Sequence, residues 1–500
     1  MTDPLHPLRR QAKLLHKQYD AGDRDAMARV NMANPRTAGP LKHADFLHVI
    51  AREKDFASWP QMKIAVETRG LDRAARVQRL RSAVSHGQVP VMRQMIADTP
   101  DLAKGALDLE IALYDLAAVR GALADNPACA TEAIGSRRPI LHLAFSRMHQ
   151  VWPEKLADML AIAGLLRDHG ADVNDSYDAG HNGQLSALYG ALGFASNLPL
   201  ARFLLENGAD PNDGESLYHA TELGHRDGIR LLLEHGAEPK GTNALLRAMD
   251  FHDVAAVRLL LDAGADPNAE SDRPDAIPAL IHAARRQSTA EMIDLLLDAG
   301  ADPAQHWQEV TAYAAACVFG NDLLRDRLAA LGTVPQLTET EQILADCAQG
   351  RVVDGCRIDM AKVPQVFQHV LREVVALPGR EAHVTALVAA GIPWDAPDAT
   401  GLPPVQVAGW EGLPAMVAYF LTLGPDLNHV NRYGGTLLTT ILHGSETCPA
   451  RAERDHIGCL KLVLEHGAAL PRRAIEMAGD PDMADFLADW AEAHPEQVVA

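Results

Sequence analysis

With 500 residues, 47% of them apolar and only 5% aromatic, the chain is longer than one compact core needs; several domains or a repeat array is the expectation. Its net charge of −20 is uneven: residues 1–81 hold 16 Lys and Arg against 9 Asp and Glu, residues 82–500 hold 30 against 57, and so acidic a body argues against nucleic acid as its main ligand. No stretch reaches the length of a membrane span, and MTDPLHPLRRQAKLL has no apolar run of signal-peptide length, so neither anchor nor leader is expected.

In chain order, the first element is an amphipathic helix. LHPLRRQAKLLHKQY places Leu5, Leu8, Ala12, Leu15 and Tyr19 on one face. ADFLHVIAREKDFASWPQMKIAVE then reads as helix, turn, helix, with Phe56 and Trp59 at the turn and Pro60 at the first position of the second helix. Between 71 and 131, RLRSAVSHGQVPVMRQMIADTP and LEIALYDLAAVRGALADNP read as two degenerate helix pairs.

A repeat then dominates. A glycine follows each L-L-x-x run, at Gly170, Gly208, Gly236, Gly264 and Gly300, with spacings of 38, 28, 28 and 36. Weaker copies end at Gly332, Gly391, Gly424 and Gly467. In TNALLRAMDFHDVAAVRLLLDAG, Leu245 and Ala248 lie on one face of a first helix. The chain breaks near His252, and Ala256, Val257, Leu260 and Leu261 line a second helix. Gly264 stops that helix with a left-handed backbone, and Asp266 and Pro267 turn the chain. The connections 172–185 and 266–279 have room for a β-hairpin; the 28-residue spacings do not. An insertion, HGSETCPARAERDHI, occupies 443–457. Met483, Phe486, Leu487 and Trp490 sit at helical spacing in a closing helix.

The L-L-x-x-G-A-D-x-N endings, the start Pro139-Ile140-Leu141-His142-Leu143-Ala144 and the breaks Gly224-His225 and Gly320-Asn321 resemble the ankyrin repeat family. Ala51-Arg52-Glu53, Phe56, Ser58 and Trp59 are similar to a helical module preceding the repeats of some bacterial ankyrin proteins. The resemblance implies an all-α fold: an ankyrin-type helical solenoid with a helical amino-terminal cap, few short β-hairpin fingers and about eight to eleven repeats. The expected domains are the module at 1–70, degenerate repeats at 71–137, well-formed repeats at 138–305, divergent repeats at 306–472 and a capping helix at 473–500.

No motif for chemistry stands out. Asp262, Asp266 and Asn268 have the wrong spacing for a calcium loop, and Asn268 becomes Lys240 or Ala304 in other copies, so the loop reads as structural. GALG at 190–193 lacks the strand and lysine of a phosphate loop. The cysteines, Cys129, Cys317, Cys347, Cys356, Cys448 and Cys459, form no C-x-x-C pair; reduced thiols in a cytoplasmic protein are expected. His169, His235 and His466 fall where helix carbonyls are open and read as caps. No catalytic residue, metal ligand or cofactor is expected.

In the family, the two positions before the break between helices face the concave surface and read partners. Here the resemblance places Phe194-Ala195, Glu222-Leu223, Asp250-Phe251, Arg286-Gln287, Val318-Phe319 and Trp410-Glu411 there. Most pairs contain a large apolar residue, which suits partner contact or the packing of divergent repeats on each other. The expected function is non-catalytic protein recognition, by a monomer, of a partner with a basic patch. Two alternatives stay open. The basic head (Arg9, Arg10, Lys13, Lys17, Arg52, Lys54, Arg73, Arg76, Arg79, Arg81) could bind nucleic acid instead of capping the array, or an enzyme site could lie in 333–400 or 443–457.

Overall fold

The computed structural model describes residues 5–33, 41, 43–180, 183–268, 277–332, 334–352, 357–478 and 481–499. The fold is all-α, built from short paired helices with few two- and three-residue strands. The chain forms two compact units, Met1–Ala248 with Ala255–Ala265, and Met249–Val254 with Asp266–Ala500.

The first unit opens with helices His6–Asp20, Arg24–Ala33, His43–Arg52 and Trp59–Thr68. Ala12 and Leu15 of the predicted stripe pack with Val30, Phe46, Val49, Ile50 and Met62, flanked by Leu8, Tyr19, Phe56 and Trp59. Glu53 receives both arms of Arg29, at 2.7 and 2.9 Å, tying the third helix's end to the second helix. The helix at 59 opens on Trp59, so Pro60 takes its second position; Ser58 caps it through the Gln61 amide. Gln61 also reaches Gln94 at 3.3 Å, joining this module to the first helix pair, Arg73–Ser85 and Val89–Asp98.

Further pairs follow: Leu107–Ala112 with Leu116–Asp125, Pro139–Ala144 with Leu156–Asp168, and Ser216–Ala220 with Asp227–Glu234. Between the last two, Ala187–Tyr189 runs into a π-helical turn, Gly190–Phe194, ahead of Leu198–Glu206. The connection at 172–185 does form a finger, Ser176–Asp178 antiparallel to Gln184–Ser186.

The second unit contains Ala279–Arg285 with Ala290–Asp298 and Ala312–Phe319 with Asp322–Ala330. Glu339–Ala348 follows, and beyond the undescribed residues 353–356 the short 3-10 turns Met360–Lys362 and Gln365–Phe367 lead into Val370–Val375 and Glu381–Ala389. Pro404–Trp410 with Pro414–Leu421 and Leu437–Thr447 with His456–Glu465 complete the pairs. A second hairpin, His306–Trp307 with Val310–Thr311, was not anticipated. Of the connection 266–279, residues 269–276 lie outside the described residues, as does Cys356. The closing helix, Pro481–Ala493, buries Met483 and Leu487.

The repeated ending explains itself physically. Gly264 has φ 95°; its amide donates to the Leu261 carbonyl and the Ala265 amide to that of Leu260, both at 2.9 Å. The same two bonds recur at Gly170, Gly208, Gly236, Gly300, Gly391 and Gly467, closing carbonyls that a helix end leaves open. His169, His235 and His466 add a ring nitrogen to one more carbonyl each, at 2.7–2.9 Å, as expected of caps.

The loop after the glycine does more than turn. Asp172, Asp210 and Asp266 accept the amide two residues on, which is that of Asn174, Asn212 and Asn268. Each asparagine then reaches the following copy of the ending. Asn268 donates to the Gly300 carbonyl at 2.9 Å and accepts the Asp302 amide at 2.7 Å; Asn174 does the same at Gly208 and Asp210, and Asn212 at Gly236 and Glu238. The loop is structural, and its asparagine clasps successive repeats.

Candidate functional site

Each candidate position lies at or just beyond the end of a repeat's first helix. In the first unit, Phe194 ends the π-helical turn and is half-buried, while Ala195 is buried. The Arg147 guanidinium lies 4.1 Å above the Phe194 ring, and its Nε donates to the Phe194 carbonyl at 3.2 Å. Glu222 accepts Arg247 at 2.6 Å and sits 2.8 Å from His219 Nδ1. Burial alone would raise the Glu222 pKa, but His219 and Arg247 together hold it below the ordinary carboxylate range. Leu223 beside it is half-buried.

In the second unit, Asp250 accepts Arg286 Nε at 2.7 Å and lies 2.8 Å from His282 Nε2. Burial lowers the His282 pKa against the opposing pull of Asp250. Arg285 bonds Glu373 at 2.6 Å and Arg286 lies 3.7 Å from it, so this buried carboxyl stays below its usual pKa despite desolvation. The charged candidates Asp250 and Arg286 are thus two members of one ion-pair network. Phe251 is 37% exposed.

Val318 and Phe319 correct the expectation of a surface position. They are 0% and 1% exposed. Phe367, at the end of the 3-10 turn Gln365–Phe367, packs edge-on against Phe319 with centroids 5.8 Å apart. Gln287 bonds the Phe319 carbonyl at 2.9 Å and accepts from Arg380. A segment outside the repeat pattern covers this position.

Trp410 and Glu411 are half-buried beneath the 443–457 insertion. The insertion is no free loop: Leu437–Thr447 is helical through residue 447, and Gly444 passes so close that an added Cβ would meet the Trp410 carbonyl oxygen at 2.1 Å. His456 Nε2 contacts that carbonyl at 2.9 Å, and Arg454 lies 3.5 Å from Glu411, whose pKa burial raises against the opposing pull of Arg454.

A group that sequence reasoning missed lies beside Phe194. Arg137 lies 4.3 Å from the centroids of both Phe145 and Tyr177 and donates to the Tyr177 hydroxyl at 2.6 Å. Phe145 and Phe194 are 5.4 Å apart. GALG was the available signal: an added Cβ on Gly190 would stand 2.5 Å from the Phe145 ring, so that position makes room for an aromatic side chain.

Residues 188–271 match the family model for ankyrin repeats, in three copies. The chain carries ankyrin repeats. No curated protein matches it. Among solved structures, the crystal structure of the human ASB11 ankyrin repeat domain is similar at 18% identity, covering 49% of this chain and 96% of that one, with a TM-score of 0.24. The matched ankyrin repeats carry the candidate positions from Phe194 to Phe251.

Among the described residues, no three His, Cys, Asp or Glu side chains are grouped to hold a metal. Five cysteines, Cys129, Cys317, Cys347, Cys448 and Cys459, are free, and all but Cys129 are buried. No described helix is long and apolar enough to cross a membrane.

Proposed function

We propose that this chain is a non-catalytic scaffold that recognises a partner protein through the ends of its first helices. The observation that carries the reading is local. Phe194, Leu223, Phe251 and Trp410 keep part of an apolar side chain accessible, next to polar groups already held by ion pairs and hydrogen bonds. Such preset surfaces bind without much ordering cost, and aromatic anchors contribute most of the affinity. Ankyrin repeats support protein recognition as the general role.

The nucleic-acid alternative loses ground. Arg73 and Arg81 of the basic head lie against Asp101 and Asp108, and Arg79 bonds Gln88, which suits a cap more than a phosphate-binding face. The 443–457 insertion likewise serves packing over Trp410. The test is affinity capture from the native cell with mass spectrometry, comparing the natural chain with a Phe194→Ala, Phe251→Ala, Trp410→Ala triple variant of unchanged helix content. Proteins retained by the first and lost by the second support the reading; an identical set on both refutes it.

A further inference from the structure

We infer that the first unit binds an acidic peptide segment at the stack Arg137–Phe145–Phe194–Arg147, an inference that rests on the recognition role proposed above. Two guanidinium groups bracket two phenyl rings, at 4.3 and 4.1 Å from the ring centroids, with 5.4 Å between the rings. Tyr177 also lies 4.3 Å from Arg137, its ring edge-on to Phe145 with centroids 5.4 Å apart, so Arg137 sits in the corner between the two rings.

The decisive feature is what these arginines do not hold. Carboxylates outnumber basic side chains in this protein by 66 to 46. Yet the hydrogen bonds of Arg137 and Arg147 go to a phenol and a backbone carbonyl, and neither arginine is within an ion pair among the described residues. The carboxylates of the adjoining repeat are engaged elsewhere: Glu215 lies 3.3 Å from His219, and Glu222 takes His219 and Arg247.

A guanidinium stacked on a ring is fixed in orientation while its in-plane N–H edge stays able to take a carboxylate in two parallel bonds. Phe194 and Tyr177, both half-buried, supply apolar contact beside the arginines, and the buried Phe145 holds the stack together. A basic segment would meet two fixed positive charges at this place. Net charge favours a basic partner for the body as a whole, but the groups at this stack favour an acidic one.

The test selects peptides from a random library displayed on phage against the full chain, then measures the selected peptides by fluorescence polarisation. The expected result is enrichment in Asp and Glu. The double variant Arg137→Gln, Arg147→Gln should weaken binding by about ten-fold or more, the loss expected for two charge-assisted contacts. Arg137→Lys with Arg147→Lys keeps the charge but not the paired geometry and should fall between. Arg202→Gln with Arg230→Gln, the same change of net charge elsewhere, should leave affinity within about two-fold.

Selected peptides that are basic, or acidic peptides indifferent to the Arg137 and Arg147 changes, overturn the inference. So does a single-stranded oligouridine that binds through these arginines where acidic peptides do not. If native-cell capture still depends on Phe194, Phe251 and Trp410 in those cases, the scaffold role stands and only the acidic-segment inference falls.

Discussion

His383 offers a perturbation whose size can be worked from the structure. It lies on the helix Glu381–Ala389, is 2% exposed, and neither ring nitrogen has a hydrogen-bond partner. Burial, aided by the nearby Arg380 charge, pushes its pKa down to about 3 from the usual 6.5. Above the unfolded value both states are neutral, and the group contributes no pH dependence. Below it the unfolded chain takes up a proton that the folded chain refuses. Stability therefore falls by about 1.4 kcal/mol per pH unit from roughly pH 6.5 down to the folded pKa. At pH 4.5 that amounts to roughly 2–3 kcal/mol. His383→Leu removes both unsatisfied nitrogens, worth about 1–3 kcal/mol at neutral pH, less up to about 1.5 kcal/mol for imperfect shape. The assay is urea unfolding of both chains at pH 7 and pH 4.5, with hydrogen exchange of residues 381–389 as the local readout. The gap between variant and natural chain should widen in acid by the amount above. An equal gap at both pH values would refute the reasoning.

Three further outcomes are expected. Asn268→Ala removes the bonds to Gly300 and Asp302 and should cost about 1–3 kcal/mol in chemical unfolding, with Asn212→Ala showing a similar loss in the first unit. Gly190→Ala forces a Cβ within 2.5 Å of the Phe145 ring and should destabilise by roughly 1–3 kcal/mol, and Phe145→Leu in the same chain should recover part of that in a double-mutant cycle; strict additivity would contradict the contact. Phe319→Ala should lower stability by about 3–5 kcal/mol while Phe251→Ala costs less than about 1 kcal/mol, a contrast that thermal melts can check and that equal losses would overturn.

The repeat period, the helix stops and the closing helix were legible in the amino-acid sequence because each depends on residues near one another in the chain. A glycine that must adopt a positive φ, a capping histidine and leucines at helical spacing show themselves locally. The asparagine of G-A-D-x-N was legible only in part. Its variation to Lys240 and Ala304 suggested a loop without a specific task, whereas Asn174, Asn212 and Asn268 each clasp the next copy.

The candidate interface divides along the same line. Sequence register alone placed Phe194, Phe251 and Trp410 at the ends of first helices. It could not tell that Phe319, in the same register, is covered by Phe367, because exposure depends on which distant segment folds over a position. Nor could it assemble Arg137, Phe145, Arg147, Tyr177 and Phe194, which come from several connections and helices. Local chemistry determined the helices and their ends; only tertiary packing decided which rings stay accessible and which charges keep no carboxylate, since both depend on what each side chain meets in space.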